Sequence, residues 1–230
     1  MITASDLSSC PAPVIRYLKL AGVLGLDRKL KAHIVHGGDF RMKPKQRWFP
    51  IRGDYHFAPE VPSFEWKASI SLFPLVFISV IDRYLNGVGK SLVKLESIFT
   101  IGESVGPEVN ESSLGRLLTE FVLMPTALVP SAQLRWEPIG AESSRALLTS
   151  CGLQVSAAFS FGQDGLPEKV TIERFGVFDG EFIKRPFIVR TSQFKKFDGL
   201  LLPTDIAGSW DMGSEEFSWL HFKITSAEFN

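Results

Sequence analysis

The chain has 230 residues with 25 basic against 25 acidic side chains, so it has no surplus of positive charge with which to neutralise a phosphate backbone, which argues against a nucleic-acid partner, and none is expected. Apolar residues make up 45% and charged ones 22%, the balance of a soluble globular protein long enough for one sizeable core. Nineteen phenylalanines against three tyrosines point to a large, dry interior with few phenolic hydroxyls to satisfy.

The N-terminal Met-Ile-Thr-Ala-Ser-Asp lacks the charged and apolar regions of a secretion signal. The longest apolar run, 72–81, is broken by Pro74 and Ser79 and is too short to span a bilayer. No block of like charge reads as a membrane tether. A cytoplasmic protein without stable membrane insertion is expected. Cys10 and Cys151 lie far apart and fit no metal spacing, so free thiols are expected.

In chain order, 9–22 reads as a short amphipathic helix with proline at its start and Gly22 at its end. Segments 30–42, 46–58, 63–73, 75–85 and 90–101 are rich in Val, Ile, Phe and Trp and punctuated by glycine and proline, which predicts five strands. The fourth, 75–85, also fits a helix. Residues 110–130 form the one long segment with clean helical period: Leu114, Leu117, Leu118 and Phe121 make an apolar stripe, while Ser113, Arg116 and Glu120 share another side. Asn110 and the serines after it are cap candidates, Glu111 suits the positive end of the dipole, and Pro125 is expected to stop the helix.

Beyond it come seven strand-length runs, 134–139, 144–150, 153–161, 168–177, 187–197, 204–211 and 217–225, separated by tight-turn chemistry such as Asp179-Gly180 and Asp198-Gly199. Connections this short leave no room for crossover helices, so neighbours must pair antiparallel. In 153–161, Leu153, Val155, Ala157, Phe159 and Phe161 fall on one face and Gln154, Ser156 and Ser160 on the other, so one face is buried. The expected fold is α+β and mostly β: a curved antiparallel sheet of about twelve strands, a half-barrel or open barrel, wrapped around one central helix in a single domain spanning 1–230.

Familiar chemistry fits poorly. Gly102-Glu-Ser104-Val-Gly106 matches a nucleophile elbow, with Asp205 and His221 following in hydrolase order, but an elbow needs a helix starting at the serine and a parallel sheet around it, so a turn is expected. His33 and His36, three apart on a strand, point to opposite faces and do not chelate one metal together, with or without His56 or Asp39. Asn86-Gly-Val-Gly-Lys90 lacks the spacing of a phosphate loop. No metal and no cofactor is expected.

Several stretches together resemble, nearly end to end, a widespread bacterial family of unknown function: Pro13-Val-Ile-Arg-Tyr-Leu18, Gly38-Asp-Phe-Arg41, Asp82-Arg-Tyr-Leu-Asn-Gly-Val-Gly89, Leu117 to Ser131 running on to Leu134-Arg-Trp-Glu-Pro-Ile139, Phe197 to Thr204, and Gly208-Ser-Trp210. That family looks like the half-barrel of periplasmic lipoprotein carriers of the LolA/LolB type, in which a curved sheet covers a hydrophobic cleft plugged by helices. Relatives tend to carry an aromatic one or two positions before the helix-ending proline, where this chain has Leu123 and Met124, and often one where it has Leu117, which implies a roomier or differently shaped cleft near the helix end.

Charged residues in these stretches stand out: Arg41, Asp82, Arg116 and Glu120, with Tyr84 among them. Charges on a helix inside a barrel must be paired. Glu120 is expected to pair with Arg116 or Arg41, and Asp82 to cap the Asn86–Gly89 turn; alternatively Glu120 or Asp82 points into a cleft as acid or base. The favoured function is binding or carriage of a hydrophobic small molecule, lipid or acyl chain between sheet and helix, with Arg41, Trp48, Trp66, Tyr84, Arg116, Leu117, Phe121, Met124 and Trp136 as candidate ligand contacts. The alternative is a cofactor-free isomerase, cyclase or hydrolase using the same cleft, with Glu120 and Asp82 as catalytic groups.

Overall fold

The structure is a computed structural model that describes residues 1–28 and 30–230. A 3-10 turn over Ala4–Leu7 precedes helix α1, Ala12–Ala21. Six strands follow: β1 Ala32–Phe40, β2 Phe49–Ala58, β3 Ser63–Phe73, β4 Val76–Leu85, β5 Val88–Leu95 and β6 Phe99–Ser104. Helix α2, Pro107–Glu120, and 3-10 turns at Phe121–Leu123 and Pro125–Leu128 form the central segment. Seven strands complete the chain: β7 Leu134–Gly140, β8 Ser143–Ser150, β9 Leu153–Phe161, β10 Pro167–Phe178, β11 Glu181–Phe197, β12 Leu200–Asp211 and β13 Glu216–Phe229.

All thirteen strands belong to one sheet in the order β6-β5-β4-β3-β2-β1-β13-β12-β11-β10-β9-β8-β7. Every consecutive pair between β7 and β13 is antiparallel, as the short turns require. The sheet is thus two meanders zipped together by antiparallel pairing of β1 with β13. Its outermost strands, β6 and β7, are joined by the central segment, so α2 passes from one wing to the other on the concave side. The inner face follows the expected alternation: Val155, Ala157, Phe159 and Phe161 on β9 are buried.

Two expectations are corrected and one alternative is settled. The α-helix is shorter than 110–130: it starts at Pro107, with Gly106 at the N-cap, and passes into 3-10 geometry at Phe121 before Pro125 is reached. The segment 75–85 is a strand, Val76–Leu85, as the strand count has it, and not the alternative helix. The fifth predicted strand, 90–101, is a hairpin, because Glu96 and Ser97 both take positive φ, 54° and 59°. Elsewhere such turns are announced by Asx-Gly pairs, as at Asp179-Gly180 and Asp198-Gly199, both residues of each lying at positive φ. Glu-Ser carries no such signal.

Helix α2 is held tightly between the wings. A Cβ added at Gly89 of β5 would lie 2.5 Å from Val109 O and Ser113 Oγ on the helix. On the opposite side, a Cβ at Gly115 would lie 3.1 Å from Ile172 of β10. These two glycines let the helix approach both walls, and Leu114, Leu117 and Leu118 are wholly buried as a result.

Candidate functional site

Because α2 is surrounded, its polar side is buried as well. Arg116 is 9% exposed and faces β3 and β4. Its Nε donates to Glu120 Oε1 at 3.0 Å and its Nη1 to Asp82 Oδ2, and its guanidinium stacks on Trp66 with its centre 4.5 Å from the ring centroid. The second oxygen of each carboxylate is also occupied: Tyr55 Oη–H donates to Glu120 and Ser91 Oγ–H to Asp82. Burial by itself would lower the basicity of Arg116, but Glu120, Tyr55 and Asp82 raise it above the usual arginine range. Trp66 Nε1–H donates to His36 Nε2 at 2.8 Å, and His36 Nδ1 lies 3.1 Å from Gly37 O, which fits a neutral imidazole protonated on Nδ1. Burial depresses His36 to about 4.

Next to this network lies a second guanidinium. Arg174 of β10 donates from Nε to Ser112 Oγ at 3.2 Å, and Ser112 donates in turn to Phe175 O at 2.6 Å. Its guanidinium centre sits 4.8 Å from the ring of Phe187 and 5.4 Å from that of Trp210. Among the described residues no carboxylate forms an ion pair with it. Burial, and then repulsion from Arg116, push its pKa down to about 10, so it is charged at neutral pH.

Arg116 and Arg174 line a recess of about 170 Å³ between the first half of α2 and the two wings. Ser91, Ser104, Ser112 and Ser113 contribute hydroxyls, and Lys90, ion-paired with Glu103, lies at its rim. Val177 and Phe182, from the β10–β11 hairpin, line it while remaining 58% and 41% exposed, so the opening has an apolar lip.

This places the candidates from the sequence in three groups. Asp82 and Arg116 line the recess, with Trp66 beneath Arg116 and Glu120 behind it. Leu117, Phe121, Met124, Trp136 and Tyr84 are packed in the core; Trp136 donates Nε1–H to Leu128 O at 2.9 Å. The roomier cleft expected at Leu123 and Met124 is therefore corrected: both side chains are buried at 2% and 0% exposure, and the recess lies beside the other half of the helix. Arg41 and Trp48 stand together at the far end of β1, where Arg41 stacks on Trp48 at 4.4 Å and donates Nε–H to Ser218 O at 2.6 Å. Arg41 is not the partner of Glu120, and Asp82 does not cap the Asn86–Gly89 turn; Asn110 Oδ1 accepts from Gly89 N–H instead, at 2.8 Å.

Arg174, Ser112 and Tyr55 were missed. The signal for Arg174 was present: it shares the inward face of β10 with Val170 and Ile172, both buried. The elbow motif resolves into the end of β6 followed closely by α2, a strand–turn–helix after all, but in an antiparallel sheet. Asp205 and His221 bond to each other at 2.7 Å on β12 and β13, while Ser104 lies in β6 at the sheet edge. On the outer face, His33 of β1 stacks against His56 of β2, centroids 4.3 Å apart, with Asp54 3.2 Å from His56 Nε2. Pairing across strands unites His33 with His56, while His36 lies on the opposite face, as expected, and is buried there.

With this arrangement in view, the family model for DUF6544, a family of unknown function, matches residues 1–222. The chain belongs to that family. No curated protein matches it. Two solved structures are similar in outline. One is a domain provisionally described as an outer membrane lipoprotein-sorting protein from Vibrio parahaemolyticus, 8% identical over 87% of this chain and 85% of that one, with a TM-score of 0.45. The other is a LolA superfamily protein from Nitrosomonas europaea, 12% identical over 99% of this chain and 94% of that one, with a TM-score of 0.43. At such identities neither bears on a ligand.

Proposed function

We propose that this protein binds a small acidic amphiphile, its carboxylate or phosphate seated against Arg174 and its apolar part lying along Val177 and Phe182. The observation that carries this reading is Arg174 itself. A half-buried guanidinium with no carboxylate bonded to it costs stability, and we read its retention at the mouth of a recess as a seat for an anion. Of the lining serines, Ser104 and Ser113 supply further donors, because Ser91 and Ser112 already donate to Asp82 and to Phe175 O. The recess is small beside the usual range for whole ligands, roughly 300–1,000 Å³, so it suits a headgroup, with the tail on the lip. A cytoplasmic setting is part of the proposal.

The rival reading, a cofactor-free enzyme, needs Asp82 or Glu120 free to move a proton. Both carboxylates are committed on both oxygens to Arg116, Ser91 and Tyr55, so we assign them to holding Arg116. Calorimetric titration with decanoate and with decanol tests the proposal. A charge-assisted contact of roughly 1.5–3 kcal/mol predicts that the acid binds at least tenfold more tightly than the alcohol. Equal affinity, or no binding of either decanoate or decyl phosphate, overturns it.

A further inference from the structure

The meander of β1–β6 places three connections at one end of the first wing: the β1–β2 loop at 41–48, the β3–β4 turn at 74–75 and the β5–β6 turn at 96–98. They touch. Arg47 donates to Leu72 O at 2.8 Å and stacks over Phe73 at 5.0 Å, Glu96 N–H donates to Phe77 O at 3.0 Å, and Ser79 and Ser97 share a hydroxyl bond of 2.6 Å. On this shared surface Leu75 is 93% exposed, Ile98 73%, Phe99 66% and Phe73 62%, with Met42 and Trp48 also exposed. Isolated exposed apolar residues need no explanation, but this many on adjoining loop tips do.

The longest of these connections is purely basic, with one acidic residue, Glu96, on the neighbouring β5–β6 turn. The β1–β2 loop carries Arg41, Lys43, Lys45 and Arg47 and no acidic residue. Among the described residues neither Lys43 nor Lys45 is in an ion pair. The tips of the β10–β11 and β12–β13 hairpins, at the corresponding end of the second wing, are acidic instead, with Asp179, Glu181, Asp211 and Glu215. One wing presents basic and apolar tips, the other presents repulsion.

We propose that this end of the first wing docks reversibly on an anionic lipid surface, its apolar tips entering the interfacial layer and its lysines and arginines meeting lipid phosphates. A bilayer is favoured over a protein groove because the apolar residues stand on separate protruding turns, the lysines flank them, and a tryptophan sits where the two meet, the amphipathic arrangement of an interfacial anchor. The complementarity also sets orientation, since the acidic tips keep the second wing off the same surface. This docking is independent of the Arg174 recess and requires no spanning segment; among the described residues no helix is long and apolar enough to cross a membrane.

Co-sedimentation of the whole chain with vesicles of phosphatidylcholine, with and without phosphatidylglycerol, tests it. Binding is expected only to the anionic vesicles and is lost at high salt. Each lysine near an anionic surface contributes about fivefold, so Lys43→Glu with Lys45→Glu together should weaken partitioning at least 25-fold or so, counting only the lost attraction. Leu75→Ser with Ile98→Ser should weaken it as well, at an unchanged melting temperature. Equal binding to neutral vesicles, indifference to salt, or no binding to either vesicle contradicts the proposal. So does a wild-type dimer that Leu75→Ser dissociates in a protein that ignores vesicles, which would make the patch a contact between copies. The salt response of the unaltered chain decides the matter even where a variant fails to fold.

Discussion

Glu120 shows how a charge on a buried helix is committed. With Arg116 on one oxygen and Tyr55 on the other, its replacement by Gln leaves Arg116 a single carboxylate partner. Removing one member of a buried pair costs roughly 3–5 kcal/mol, so denaturant melts of Glu120→Gln should lose several kcal/mol; a loss below about 1 kcal/mol would instead free Glu120 for proton transfer. His36 gives a pH signature. Its folded pKa of about 4 lies below the ordinary 6.5, so the unfolded chain takes up the proton first. The stability it contributes is complete above pH 6.5 and disappears as pH falls towards 4, a total of roughly 3 kcal/mol. His36→Gln, which keeps an acceptor for Trp66, should flatten that part of the stability profile relative to wild type. Parallel profiles would show that the imidazole does not titrate as described.

At the scale of elements, the seat of α2 depends on two absent methyl groups. Gly89→Ala drives a Cβ into the helix backbone at Val109, contact that only a shift of α2 or β5 relieves. Overpacking of this kind costs typically 1–3 kcal/mol. Gly115→Ala meets the flexible end of Ile172 and should cost less. The reverse order in thermal melts would mean that the helix is held mainly by β10. The strands were legible because alternation and Asx-Gly turns are local, and the antiparallel order of β7–β13 followed from loop length alone. The β5–β6 hairpin was not, since Glu96-Ser97 turns without glycine. Nor was the pairing of β1 with β13, because nothing local says which strands nearly two hundred residues apart will meet. The candidate site followed the same rule. Arg116 and Glu120 were visible as an i, i+4 pair, whereas Arg174 and Ser112 are brought together across 62 residues.

For the whole molecule, one open sheet curved around the central helix leaves an interior filled by the apolar side of that helix and a polar seam where the two wings approach its first turns. The claim on which the functional reading depends is that Arg174 is kept for a ligand and not for the fold. Arg174→Met tests it with two readings from one variant, the denaturant midpoint and the affinity for decanoate. Exchanging a half-buried charge that no carboxylate bonds for an apolar side chain of similar reach should leave stability unchanged or raise it, while decanoate binding falls at least tenfold or so. A loss of several kcal/mol with decanoate affinity untouched would contradict the account and make Arg174 a structural arginine.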